Sequence, residues 1–142
     1  MATWGLVAYV AVLAGVALWP QPVDRPISGL LERALRALHR RGVPDWIDYG
    51  FVESASNVLL FVPLGALVAW IIGRVYWWVG AAAGLLASSA IELAQFLFLP
   101  DRYPTLADIV ANSLGALLGA LLALPIMARR RPVRNRVPAR TL

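Results

Sequence analysis

Four apolar stretches divide the chain. They cover about residues 3–20, 54–73, 77–99 and 105–127, and short polar segments separate them. The first carries Trp4 and Trp19 where an aromatic belt would sit, and Pro20 and Pro22 close it. It is short for a span. A cleaved signal peptide would use Gly15 and Ala17 as its small residues, but no Lys or Arg precedes the stretch, so a retained span is expected. The second and third stretches each approach the roughly 20 residues needed to cross a ~30 Å hydrocarbon core. The fourth begins at Thr105 and Asp108, which are spaced like a capping box, with Pro104 just before the helix start.

A different pattern fills about residues 26–41. Ile27, Leu30, Leu31, Ala34, Leu35 and Leu38 follow the i, i+3, i+4 rule on one face, while Glu32, Arg33, Arg36, His39, Arg40 and Arg41 take the other. A basic amphipathic helix between Pro26 and Gly42 is expected to lie in the headgroup plane. A helix folded over the bundle as a lid is the alternative.

Small residues indicate how the spans pack. Gly80, Gly84 and Ser88 recur every fourth residue on the third stretch, and Gly115 and Gly119 do so on the fourth. These stripes lead us to expect close approach of the third and fourth spans, joined as an antiparallel hairpin by a connection of about eight residues. No internal repeat and no soluble domain is visible.

Composition changes this picture mainly by exclusion. The 142 residues are 60% hydrophobic and 15% charged, against about 45–50% and about 25% in ordinary soluble domains. Cys is absent, and all thirteen basic side chains other than His39 are Arg. Disulfides, thiolate metal sites, a Schiff-base lysine and a Walker-type phosphate loop are therefore excluded. With one histidine, a two-histidine metal motif is excluded too, and no metal or other cofactor is expected.

Charge also bears on orientation. In a four-span chain one side would carry Arg74, Arg129, Arg130, Arg131, Arg134, Arg136 and Arg140. The other would carry Arg25, Arg33, Arg36, Arg40, Arg41 and Arg102. Three of the first set sit directly against the last span, so both termini are expected in the cytoplasm of a multi-pass cell-membrane protein. Residues 129–142 form an Arg-rich tail, expected to be disordered. A topogenic or anionic-lipid role explains it without a nucleic-acid partner.

Polar residues inside the apolar stretches are the candidate chemistry, because a charge at a span centre costs about 2.5–3.5 kcal/mol on insertion scales. Ser88, Glu92 and Gln95 share one face of the third span. Asp108 and Asn112 share one on the fourth, and Glu53 and Asn57 lie one turn apart at the start of the second. In an up-down bundle these three sets meet at one end whatever the orientation. Arg102, in the connecting loop, is placed to pair with Asp101, Asp108 or Glu92.

These residues carry a resemblance. The run Asn57-Val58-Leu59-Leu60-Phe61-Val62-Pro63-Leu64-Gly65 comes first, followed by Ser-x-x-Glu92-x-x-Gln95. Arg102, Thr105, Asp108, Asn112 and Gly115 then complete a pattern that resembles the signature of VanZ-like membrane proteins over about residues 53–124. The founding member of that family is associated with low-level resistance to teicoplanin, a lipid-bearing glycopeptide acting outside the membrane. The resemblance agrees with the fold expected from the apolar stretches, an all-α integral membrane bundle of four transmembrane helices with an interfacial amphipathic helix between the first two, of which the first span and the amphipathic helix match the family only in general layout. It also marks Asn57, Glu92, Gln95, Arg102, Asp108 and Asn112 as signature residues.

The leading expectation is binding of an amphiphilic ligand, lipid or lipoglycopeptide, at an outward-facing cluster of Glu53, Asn57, Ser88, Glu92, Gln95, Arg102, Asp108 and Asn112. Membrane lipids would be its partners. There Arg102 and the positive N-terminus of the fourth helix could meet an anionic group. One alternative is a membrane enzyme acting on a lipid-linked substrate with Glu92 or Asp108 as general base, although no nucleophile–base–orienter set is visible. Another is a structural protein whose cluster only holds the bundle together.

Overall fold

The computed structural model describes residues 1–20, 27–100 and 105–129. Arg25, Asp101, Arg102, Tyr103 and the tail beyond Arg129 lie outside the described residues, and with them the expectations placed on Arg102 and on the tail. Among the described residues the fold is all-helical. It comprises α1 (Ala2–Ala17), α2 (Ser28–His39), α3 (Tyr49–Ile72), α4 (Trp78–Phe98) and α5 (Leu106–Arg129), with a 3₁₀ turn at Arg74–Tyr76 between α3 and α4.

The helices α3, α4 and α5 are long and apolar enough to cross a membrane, and α1 is a shorter apolar helix of 16 residues. Their limits follow local chemistry. The helix α3 starts five residues before the apolar stretch that marks it in the sequence, because Asp48 caps it by accepting a 2.9 Å hydrogen bond from the Phe51 N–H. It ends at Gly73, whose φ of 98° is a conformation glycine adopts without a Cβ penalty. The helix α2 ends in a similar turn at Gly42, φ 93°.

The core is thin and built on small residues. The helices α3 and α5 pack most extensively, followed by α4 on α5, α3 on α4, and α1 on α3. Leu13, Phe61, Leu64 and Ala116 form one buried cluster, and Ala69, Ala120 and Ala123 form another. Most large apolar side chains point outward, among them Leu59, Leu86, Phe96, Leu118 and Leu122. An inside-small, outside-large pattern is what helix association in lipid favours, since burying Leu gains little there and backbone approach gains contact.

The glycines show how close that approach is. A Cβ on Gly84 would collide with Ala116 of α5, so α4 and α5 meet as the sequence pattern suggested. Gly115 and Gly119 correct the expectation. A Cβ on them would strike the carbonyls of Val58 and Val62, so this stripe faces α3 rather than α4. Ala116 and Ala120, one residue round the helix, are the α5 positions that meet Gly84 and Gly80 of α4. Gly65 of α3 lies between the two, against the Ala116 backbone, and its own carbonyl would meet a Cβ on Gly80 at 2.6 Å.

The helix α1 is held by two side-chain hydrogen bonds in addition to packing. The Tyr9 hydroxyl donates to the Leu60 carbonyl. Pro63 sits inside α3 and lacks an N–H, so the Leu59 carbonyl, one residue before the one that Tyr9 bonds, loses its i+4 donor. The second bond joins the far end of α1 to α4 and belongs to the polar cluster.

Candidate functional site

The starts of α3 and α5 and the ends of α1 and α4 come together at one end of the bundle, where the predicted polar residues gather. On α3, Asn57 is half-buried and donates a 2.6 Å hydrogen bond from Nδ2 to Asp108 Oδ1 on α5. Glu53, one turn nearer the helix start, is exposed.

Thr105 and Asp108 build the first turn of α5 as a capping box with one component replaced. The Asp108 N–H donates to Thr105 Oγ1 at 3.1 Å, as a capping residue requires. In the usual box the acidic residue three positions on would accept from the Thr105 backbone N–H. Here Asp108 Oδ2 accepts from the Thr105 hydroxyl at 2.9 Å, and the Thr105 N–H donates instead to Glu92 Oε2 at 3.0 Å. Glu92 thus caps α5 from the neighbouring helix. Its carboxylate lies at the positive end of the α5 dipole, where an anion is stabilised. The substitution also frees Asp108 Oδ1 for Asn57, so one helix start ties α3, α4 and α5 together.

One turn deeper, Asn112 Nδ2 donates to Ser88 Oγ at 2.9 Å, a buried bond between α5 and α4. Asn112 Oδ1 is buried without a hydrogen-bond partner. Gln95, one turn above Glu92 and also buried, donates from Nε2 to the Ala17 carbonyl at 2.8 Å. That carbonyl belongs to the last turn of α1, where backbone acceptors have no intrahelical donor. Ser56 and Ser113 by contrast bond carbonyls of their own helices, at 2.8 and 2.6 Å.

The structure therefore brings together Asn57, Ser88, Glu92, Gln95, Asp108 and Asn112. Thr105, a cap signal and a signature position in the sequence but not one of the expected cluster residues, is the hub of the set. Ala17 enters through a backbone carbonyl, for which no residue type gives a signal. The arrangement is suited to joining helices and to presenting a carboxylate–amide pair, Asp108 and Asn57, at the half-buried edge. Among the described residues no group of three or more His, Asp or Glu side chains is placed to hold a metal ion.

Beside this cluster the outer faces of α3 and α5 enclose an apolar furrow of about 760 Å³. Phe51, Ser54, Ala55 and Leu59 of α3 and Leu106, Ala107, Ala111 and Leu114 of α5 line it.

Away from the cluster, α2 turns back toward α3 through a short loop. His39 Nε2 lies 3.1 Å from the Ile47 carbonyl, and Trp46 packs edge-on against Phe51 with ring centroids 5.3 Å apart. Leu35 of α2 is buried, while Ile27, Leu30 and Leu38 remain exposed beside Arg33, Arg40 and Arg41.

A family model described as VanZ/LLP1 matches residues 6–128. No curated protein and no solved structure matches the chain.

Proposed function

The chain belongs to the VanZ/LLP1 family, and from that premise we propose that it is a multi-pass membrane protein that binds an amphiphilic ligand at the polar end of its bundle. In this reading α1 is a fourth span, and α2 lies in the headgroup plane with Ile27, Leu30 and Leu38 toward the acyl chains. Both termini are cytoplasmic, which turns the cluster outward. The ligand is a membrane lipid or a lipid-bearing glycopeptide such as teicoplanin, and protection against such a compound is the cellular outcome to look for.

The observation that carries this reading is the division of labour within the cluster. Ser88, Glu92, Gln95 and Asn112 are buried, and the hydrogen bonds they make tie helices together. Asn57 and Asp108 are half-buried, so they remain reachable from the same membrane surface. A polar group of a ligand would meet this pair, at the N-terminus of α5.

A purely structural protein is the second reading, favoured by the same interhelical bonds. Binding of teicoplanin to the full chain in phosphatidylcholine nanodiscs separates the two. Asp108→Asn is expected to weaken binding about tenfold, equivalent to about 1.4 kcal/mol, with the protein still folded. Undetectable binding to the unsubstituted protein, or binding unaltered by Asp108→Asn, would favour the structural reading.

A further inference from the structure

The furrow between α3 and α5 has a shape and position that select its occupant. Its α3 wall runs from Phe51 to Leu59 and its α5 wall from Leu106 to Leu114, each about 12 Å long at about 1.5 Å per residue. That is close to half of a ~30 Å hydrocarbon core, the depth of one leaflet. The volume, about 760 Å³, is within the range of about 300–1,000 Å³ found for small-molecule sites.

The walls belong to two helices long and apolar enough to cross a membrane. In a membrane the furrow therefore opens sideways into hydrocarbon, which disfavours a polar solute or a soluble peptide. A helix from a second copy would be about 10–12 Å wide with its side chains and would lie along a whole span. The furrow occupies only the first third of α5, and its lining mixes small residues, Ser54, Ala55, Ala107 and Ala111, with the side chains of Leu59 and Leu106, 70% and 81% exposed. A flexible chain one methylene wide fits that space better than a helix does. Polarity agrees: among the described lining residues only Ser54 is polar, and the Asn57–Asp108 bond joins the same two helices alongside the furrow. An apolar length with polar groups alongside it fits an amphiphile.

We infer that the α3–α5 furrow is a binding site for one acyl chain of a membrane lipid in the leaflet where α3 and α5 begin. The inference rests on the amphiphile reading and deepens it by locating the chain. Phe51, packed edge-on against Trp46, borders the furrow at the surface end. Its depth ends at Leu59 and Leu114, below which Gly115 and Gly119 draw α5 against the α3 backbone.

The test uses the full chain in phosphatidylcholine nanodiscs with palmitate carrying a photoactivatable diazirine, and adducts are mapped by peptide. Adducts on 51–59 and 106–114 are expected to exceed those on the exposed α4 surface of Leu86, Leu93 and Phe96 by about tenfold, the ratio for about 1.4 kcal/mol of preference. Unlabelled palmitate is expected to suppress the furrow adducts selectively. Ala107→Trp, at an exposed position, and Ser54→Trp, from the opposite wall, should each reduce them to the α4 level. Adducts spread evenly over the furrow and α4 in the unsubstituted protein, or furrow adducts that persist in both folded variants, would overturn the site. Even adducts together with Asp108-dependent teicoplanin binding would remove the furrow and leave the cluster reading standing. Selective furrow adducts without Asp108-dependent binding would do the reverse.

Discussion

Glu92 is 7% exposed inside a largely apolar helix, and its carboxylate accepts from a backbone amide at the start of another helix. The spacing of Ser88, Glu92 and Gln95 made their shared face legible in the sequence, because the helical period alone determines it. Their partners were only partly legible. Ser88 meets Asn112, a side chain that the pattern had already singled out. Glu92 and Gln95 meet the backbone of Thr105 and Ala17, and a backbone donor or acceptor looks the same at every position. The Asn57–Asp108 bond is the clearest side-chain pair to measure. A double-mutant cycle with Asn57→Ala and Asp108→Ala, by reversible unfolding in bicelles, is expected to give a favourable coupling of about 0.6 kcal/mol and at most about 1.7 kcal/mol. Additive effects would mean that the two side chains do not interact.

At the scale of helices, small residues set the architecture. Which positions are small was plain from the sequence, but which neighbour they face was not. A four-residue repeat fixes a stripe on one helix and leaves open the rotation of that helix within the bundle. Gly115 and Gly119 turned out to serve α3, and Ala116 and Ala120 serve α4. The start of α3 was not legible for a related reason: hydropathy marks where the apolar stretch begins, whereas the helix begins at its cap, Asp48. Glycine substitutions separate packing from propensity. Gly119→Ala is expected to destabilise by about 1–3 kcal/mol through overpacking against the Val62 carbonyl. Gly15→Ala, with nothing within 4 Å of the new methyl, should be neutral or stabilising by up to about 1 kcal/mol. Thermal unfolding of the two variants side by side checks this, and equal losses would contradict the packing derived for α5.

In the molecule as a whole, a chain that is 60% hydrophobic keeps Glu92 and Gln95 at one end, where the start of α5 and the end of α1 supply unsatisfied backbone groups for them. That end could be inferred from the sequence because span order alone brings it together. The orientation proposed for it rests on the arginine distribution alone. The absence of cysteine allows a direct check: with single cysteines at Asp45 and at Arg129, both exposed, an impermeant thiol reagent applied to intact cells should label the first and not the second. The reverse pattern would place the cluster in the cytoplasm. The central claim is that Glu92 holds the bundle by capping α5, and the global unfolding free energy of Glu92→Gln tests it most directly. Removing the charge while keeping an amide acceptor should lower stability by about 1 kcal/mol, through loss of the charge–dipole and charge-assisted hydrogen-bond contributions. Unchanged or increased stability would contradict the claim, since a buried carboxylate without a structural role is a cost that its neutral isostere relieves.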